Sequence, residues 1–62
     1  MKTIFVLQKS LNQYFTEINI KNEVVITDNS MNAMLFDNIY TANSFKIRLK
    51  DQYLLNFNVI EL

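Results

Sequence analysis

The 62-residue chain contains no cysteine, histidine, glycine, proline or tryptophan. Without cysteine there is no disulfide and no thiolate nucleophile, and without histidine the commonest metal ligand and the usual base at neutral pH are missing. A phosphate-binding loop normally needs glycine, so that kind of nucleotide site is excluded too. No two carboxylates have the spacing of a catalytic dyad. We therefore expect a protein that is not an enzyme and that holds no metal or cofactor.

Charge and hydropathy limit the partners and the location of the protein. Six basic residues balance six acidic ones, and each half of the chain is balanced as well. The sequence thus has neither the basic field of a nucleic-acid binder nor the acidic surface of a DNA mimic. The apolar run at residues 4–7 is shorter than the roughly 7 residues of a secretory core, and no stretch approaches the roughly 18 of a membrane span. We expect a cytoplasmic protein with no membrane partner.

What the sequence does contain favours a folded protein. Half of its residues are apolar, including five phenylalanines and three tyrosines, which is too hydrophobic for disorder at zero net charge. The length allows one domain, residues 1–62, which buries about 60% of the unfolded chain's surface. Because nine asparagines accompany the absence of glycine, asparagine is expected at left-handed and turn positions.

Two segments near the N-terminus have the composition of strands. Residues 3–9 are apolar on both faces, which predicts a central strand. Beyond them, one series of alternate residues predicts a strand with a single buried face and places Phe15 on its outer face. That series is Tyr14, Thr16, Ile18 and Ile20.

A third strand is predicted to complete a hairpin with the second. Val24 and Ile26 continue the alternation after a break at residues 21–23. With that break as the loop, Ile20 would lie opposite Val24 and Ile18 opposite Ile26, which gives one wholly apolar face.

The second half of the chain predicts a main helix. Residues 31–36 allow only one helical turn, and Asp37 is the expected N-cap of the helix that follows. Apolar residues then recur at spacings of 3, 4 and 4 and define the inner stripe of this helix. The inner stripe consists of Ala42, Phe45, Leu49 and Tyr53.

Residues 45–50 also alternate with period 2, so a strand at this position is the alternative. The helix is favoured because Asp51-Gln52 makes a poor hairpin turn and because the cap and the stripe agree. Leu55, Phe57 and Val59 then predict a closing strand that pairs with the first one. The fold class is α+β: a small antiparallel sheet in the order β-β-β-α-β, with one main helix packed on one face.

The candidate site is a second apolar stripe on the main helix. Tyr40, Ile47 and Leu54 stand seven residues apart and form this outer stripe, which lies about 150 degrees around the helix from the inner one. Since one helix face packs on the sheet, the outer stripe is a candidate protein-interaction surface, with Lys50 and Asp51 as a polar rim. The alternative is that these are isolated exposed residues without a role.

A second candidate site is the basic cluster Lys46, Arg48 and Lys50. On a strand the three cations would share one face, but on a helix Arg48 points away from the other two. Nucleic-acid contact through these residues is therefore an alternative that the helix disfavours.

Leftover apolar surface on the sheet supports an association partner. The first strand is apolar on both faces, and Phe15 is predicted to face outward, although a single helix covers only one face. A host protein or a second copy of the chain would bury this surface, and small chains often depend on such association.

The pattern also resembles a known group of proteins. The runs at residues 29–37 and 57–62, with Ala42, Phe45 and Leu49 between them, are similar to those of small proteins from phages and mobile elements of AT-rich Gram-positive bacteria. The size and lack of catalytic residues resemble anti-CRISPR proteins, which occupy a surface of a Cas effector. The resemblance implies an inhibitor that binds a host defence protein, such as a Cas nuclease, in the bacterial cytoplasm. The alternatives are a small nucleic-acid-binding or regulatory phage protein and a homodimeric structural protein.

Overall fold

The computed structural model describes residues 3–62 and shows a four-stranded antiparallel sheet with one main helix. The strand order across the sheet is β3-β2-β1-β4, with β1 at the centre and β4 paired to it as predicted. The small α+β fold is therefore confirmed, and Met1 and Lys2 of the predicted domain lie outside the described residues. The elements are β1 (Phe5–Ser10), β2 (Gln13–Ile18), β3 (Val24–Thr27), a single 3₁₀ turn (Ser30–Asn32), α1 (Ile39–Tyr53) and β4 (Asn58–Glu61).

The core lies between α1 and one face of the sheet. Ala42 and Leu49 of the inner stripe are fully buried, and Phe45 and Tyr53 pack partly buried against the same core, which confirms the predicted helical face. Phe15 sits at the centre, with its ring centroid 5.9 Å from that of Phe45. The buried core cluster is Leu7, Phe15, Phe36, Ala42, Leu49 and Phe57.

A β-bulge in β2 overturns the predicted facing of this strand. Ile18 lies opposite Val24, but Phe15 lies opposite Ile26, so β2 contains one extra residue between these two pairs. The extra residue puts Phe15 and Ile18, three positions apart, on the same face of the sheet. The prediction that Phe15 faces outward is therefore wrong, since its side chain is fully buried. Thr16 lies within the bulge, and its hydroxyl is buried without a hydrogen-bond partner.

The loop between β2 and β3 is longer than predicted because Asn19 organises it. The Asn19 side-chain oxygen accepts hydrogen bonds from the backbone N–H of Lys21 (3.0 Å) and of Glu23 (2.9 Å). Asn22 takes a left-handed conformation in the same loop, with φ of 63°. As a result β2 ends at Ile18, and Ile20 is fully exposed instead of pairing with Val24. The predicted pairing of Ile18 with Ile26 is wrong for the same reason.

The ends of α1 differ from the prediction at both caps. The N-cap is Asn38 rather than Asp37, and its side-chain oxygen accepts a 2.7 Å hydrogen bond from the backbone N–H of Tyr40. At the other end Leu54 has a left-handed backbone, with φ of 57°. Among residues 3–62 the other left-handed positions are Asn12 and Asn22, as expected for asparagine, whereas a leucine in this conformation was not expected.

The segment before α1 ties the two central strands together. The backbone N–H of Met34 donates to the carbonyl of Phe15 in β2, at 3.0 Å. Phe36 exchanges two backbone hydrogen bonds with Phe5, at the start of β1. This segment therefore closes the core at the end where the observed β1–β2 pairing stops, and it fixes where α1 begins.

Candidate protein-interaction surface

Tyr40 and Ile47 are exposed on the side of α1 that faces away from the core, and Leu54, which directly follows the helix, is exposed as well. Tyr40 is 78% exposed, Ile47 60% and Leu54 83%. A spacing of seven residues separates successive stripe residues by about 10.5 Å along a helix. The stripe is thus a row of separated apolar side chains rather than one continuous patch, and polar residues such as Asn43 and Ser44 lie between them.

The C-terminal end of the stripe is built around Leu54. Its backbone N–H donates to the carbonyls of Leu49 and Lys50, so the left-handed residue closes the last turn of α1. The side chain lines a shallow depression of about 320 Å³ together with Lys50, Asp51 and Asn56. The structure therefore brings Leu54 together with both predicted rim residues. This end offers an apolar contact beside one cation and one carboxylate.

The N-terminal end of the stripe has a different chemistry. Tyr40 lines a separate depression of about 230 Å³ with Thr41, Ser44, Phe45 and Arg48. The Ser44 hydroxyl donates to the Tyr40 carbonyl at 3.0 Å. The Arg48 guanidinium lies 5.5 Å from the centroid of the Phe45 ring, within the range of a cation–π contact. This end thus offers hydroxyls and a positioned cation beside an aromatic ring.

Ile47 lines neither depression, and it lies between them along the helix. The five predicted interaction residues therefore do not form one cavity. They form an exposed face with two separate shallow depressions, of about 230 and 320 Å³. A face of this kind can contact another protein surface but cannot enclose a small molecule.

The basic cluster is dispersed by the helix. Residues 45–50 lie inside α1, so the strand alternative is excluded. Lys46 and Lys50 are four residues apart on one side, while the 100° step per residue places Arg48 about 160° away from Lys46. Arg48 contacts the Phe45 ring instead. The three cations consequently do not make a single patch for phosphate groups.

An apolar depression next to the sheet was not predicted from the sequence. Its volume is about 310 Å³, and it is lined almost entirely by apolar side chains. Periodicity could not reveal it, because its residues come from three separate segments around the 3₁₀ turn and the strands β1 and β4. The lining residues are Ile4, Ser30, Met31, Leu35 and Leu62.

The second face of the sheet, away from α1, exposes less apolar surface than the sequence predicts. Val6, on the face away from α1, is fully buried among its neighbours. Phe15 contributes nothing to that face, because the bulge turns it into the core. The apolar surface left over on this side lies around Ile4, Ile60 and Leu62, where Ile4 and Ile60 are half-buried and Leu62 is exposed, and it includes the half-buried Val25 of β3.

Comparisons with known proteins identify no relative of this chain. No protein-family model, no curated protein and no solved structure matches it. In the described part of the chain, no helix is both long and apolar enough to cross a membrane. Among the same residues, acidic side chains do not gather into groups of three or more that could hold a metal ion.

Proposed function

We propose that the protein is a non-enzymatic inhibitor that binds a host defence protein through the outer face of α1, and that a Cas effector nuclease is the first target class to test. The supporting observation is that Tyr40 and Ile47 are exposed on the side of α1 away from the core and that Leu54, at the end of the helix, is exposed too. Interfaces are enriched in aromatic side chains and have a polar rim, and this face has Tyr40 with Lys50 and Asp51 at its rim. The choice of a defence protein as target rests on the resemblance to anti-CRISPR proteins.

Leu54 adds a second argument for binding. A non-glycine residue in the left-handed conformation costs about 1 to 2 kcal/mol, and asparagine or glycine would be cheaper there. Burial of the leucine side chain offsets little of this conformational cost, since 83% of its surface stays in water. Folding stability therefore does not account for leucine at this position, whereas contact with a partner would.

The charge of the surface bears on how inhibition would occur. The chain has zero net charge, and Lys50 and Asp51 place opposite charges side by side next to Leu54. Such a surface does not imitate the phosphate backbone of DNA. The proposed inhibitor instead covers a protein surface that the nuclease needs for a conformational change or for assembly.

The experiment is a cleavage assay with a purified, guide-loaded Cas effector from a Gram-positive bacterium. Adding the protein in stoichiometric amounts is expected to stop cleavage of target DNA, and gel filtration is expected to show a complex. Because apolar contacts dominate, the inhibition should change little between low and moderate salt. Full cleavage at a large excess of the protein, with no complex, would exclude this target class.

The matched variants are Ile47→Asp with Leu54→Asp, and Leu11→Asp with Ile20→Asp. Both pairs put two carboxylates in place of exposed apolar side chains, but the second pair lies in the hairpin loops. We expect the first pair to reduce inhibition at least tenfold and the second to leave it unchanged, with both variants folded by circular dichroism. Equal inhibition by the two pairs would contradict the assignment of the outer stripe.

The nucleic-acid alternative predicts a different salt response. Binding through Lys46, Arg48 and Lys50 would depend on phosphate contacts and would weaken steeply as salt is raised. A titration of labelled DNA at low and at moderate salt distinguishes the two. The third possibility, a homodimer that uses the outer stripe as its seam, would appear as a dimer that Ile47→Asp dissociates.

A further inference from the structure

The strand β4 presents a free edge of the sheet. Within residues 3–62 it has one neighbouring strand, β1, and it ends the order β3-β2-β1-β4. The Leu62 N–H donates to the Ile4 carbonyl at 2.8 Å, so the backbone groups of Leu62 point toward β1. Since these groups alternate along a strand, those of Ile60 also point toward β1, and those of Val59 and Glu61 point outward. Two residues of β4 thus offer unused backbone donors and acceptors.

This edge has two of the usual protections against edge-to-edge pairing, a strand of only four residues and one charged side chain, Glu61, but it lacks the others. Natural edge strands are commonly protected by lysine, proline or a bulge. None of these occurs in β4 (Asn58–Glu61), which pairs with β1 in an uninterrupted register over four residues. The opposite edge, β3, pairs across the bulge in β2, and a bulge increases the local twist. The edge at β4 is therefore the better template for another strand.

We infer that β4 pairs with the β4 of a second copy of the chain, antiparallel and centred on Ile60, so that two four-stranded sheets become one continuous sheet. This inference is independent of the proposed function. It follows from the positions of the backbone groups that point away from β1. Two β4 strands can exchange hydrogen bonds only if residues with such groups lie opposite each other. In the register centred on Ile60, Val59 of each copy exchanges two hydrogen bonds with Glu61 of the other.

The other symmetric registers are less favourable. Centring on Glu61 would set two carboxylates directly opposite each other, and like charges at that position are destabilising. Centring on Val59 would leave Glu61 opposite Phe57, which lies before the strand begins. The register on Ile60 alone uses both outward residues of β4 and places no like charges opposite each other.

The side chains on this edge suit a second copy. Ile60 lies opposite Val6 on the face away from α1, and it would meet Ile60 of the second copy across the new pair. Leu62 would be its diagonal neighbour, within reach of a long side chain. Leu62 also lines the apolar depression with Ile4, Met31 and Leu35, so the apolar surface runs from that depression to the edge. Zero net charge removes long-range repulsion between copies.

The pairing leaves the outer stripe free. The helix packs on the opposite face of the sheet from Ile60 and Val6. A dimer through β4 would therefore present two outer stripes, one from each copy. Binding of a partner by α1 and self-pairing by β4 are compatible.

Single-cysteine variants test the register, because the chain has no cysteine of its own. In the register centred on Ile60, the two residues at position 60 are directly opposite and about 4.5 Å apart between Cα atoms, which allows a disulfide. The two residues at position 58 would be about 13 Å apart, which does not. We expect Ile60→Cys to oxidise to a covalent dimer and the matched control Asn58→Cys to stay monomeric under the same conditions.

Sedimentation of the unmodified chain over a range of concentrations completes the test. We expect a monomer–dimer equilibrium that Glu61→Pro shifts at least tenfold toward monomer, because proline removes one outward N–H per copy at an exposed edge position. The control is Thr27→Lys in β3, on the opposite edge of the sheet, which should leave the dimer intact. A monomer at every concentration, or crosslinking of Asn58→Cys as fast as Ile60→Cys, would overturn the inference.

Discussion

Replacement of Leu54 by glycine should stabilise the fold while removing an exposed apolar side chain. The left-handed backbone of a non-glycine residue costs about 1 to 2 kcal/mol, and glycine removes that cost. Glycine also raises the entropy of the unfolded chain, which costs about 0.5 to 1 kcal/mol. The leucine side chain is 83% exposed, so its loss costs only about 0.3 kcal/mol of burial. The net expectation is a gain of about 0.5 kcal/mol, or about 2 to 4 °C in Tm for a domain of this size.

The matched control for this prediction is Leu54→Ala, which removes the same contacts but keeps a Cβ atom in the left-handed conformation. Urea unfolding followed by circular dichroism measures all three proteins. We expect the alanine variant to be slightly less stable than the natural chain and about 0.8 kcal/mol less stable than the glycine variant. A glycine variant no more stable than the alanine variant would refute the conformational argument, and with it the reasoning that leucine is present here for contact with a partner.

Three further predictions concern the fold. Phe15→Ala should lower the free energy of unfolding by about 3 to 5 kcal/mol and leave the chain largely unfolded at room temperature in a thermal melt. Ile20→Ala should change it by less than about 0.5 kcal/mol. A larger effect of Ile20→Ala would contradict the bulge in β2 and support a strand without it. Asn38→Ala should lower the free energy of unfolding by about 1 kcal/mol and Asp37→Ala by clearly less, and equal effects would contradict the assignment of the cap. Thr16→Val should raise the free energy of unfolding in urea by about 1 kcal/mol, because it removes a buried hydroxyl that has no partner. A loss of stability would indicate that the hydroxyl is hydrogen-bonded in solution.

The helix and the strand order could be predicted because they depend on periodicity. Ala42 and Leu49 lie seven residues apart on the face that packs on the sheet, and this spacing identifies the inner stripe despite the period-2 pattern of residues 45–50. The closing strand followed from its apolar alternation, although it begins at Asn58, later than predicted. The helix and the closing strand each bury one face, and the spacing of apolar residues in a sequence predicts which face is buried.

The details of the hairpin could not be predicted because single residues decide them. One extra residue in β2 reverses the side on which Phe15 lies, and nothing in the alternation of apolar residues marks the position of a bulge. The two hydrogen bonds accepted by the Asn19 side chain lengthen the loop and expose Ile20. Asn19 and Asn22 in this loop are residues typical of turns, but they did not indicate where β2 ends.

The candidate surface was predictable only in part. The outer stripe followed from helical spacing, so the exposure of Tyr40 and Ile47 was expected. The left-handed conformation of Leu54 was not expected, since it arises at the end of the helix and not from the period. The apolar depression around Met31 and Leu35 depends on how the segment before α1 folds over the end of the sheet, and no local pattern encodes that arrangement.

The most direct test of the proposed contact surface is a capture experiment that compares two variants of this chain. Tagged natural protein, the Ile47→Asp and Leu54→Asp variant, and the Leu11→Asp and Ile20→Asp control are each incubated with nuclease-treated lysate of a Gram-positive host. The columns are washed at moderate salt, and the bound proteins are identified by mass spectrometry. We expect one stoichiometric host protein to be retained by the natural chain and by the control, and to be lost with the variant of the outer stripe. Retention of that protein by the stripe variant would contradict this expectation.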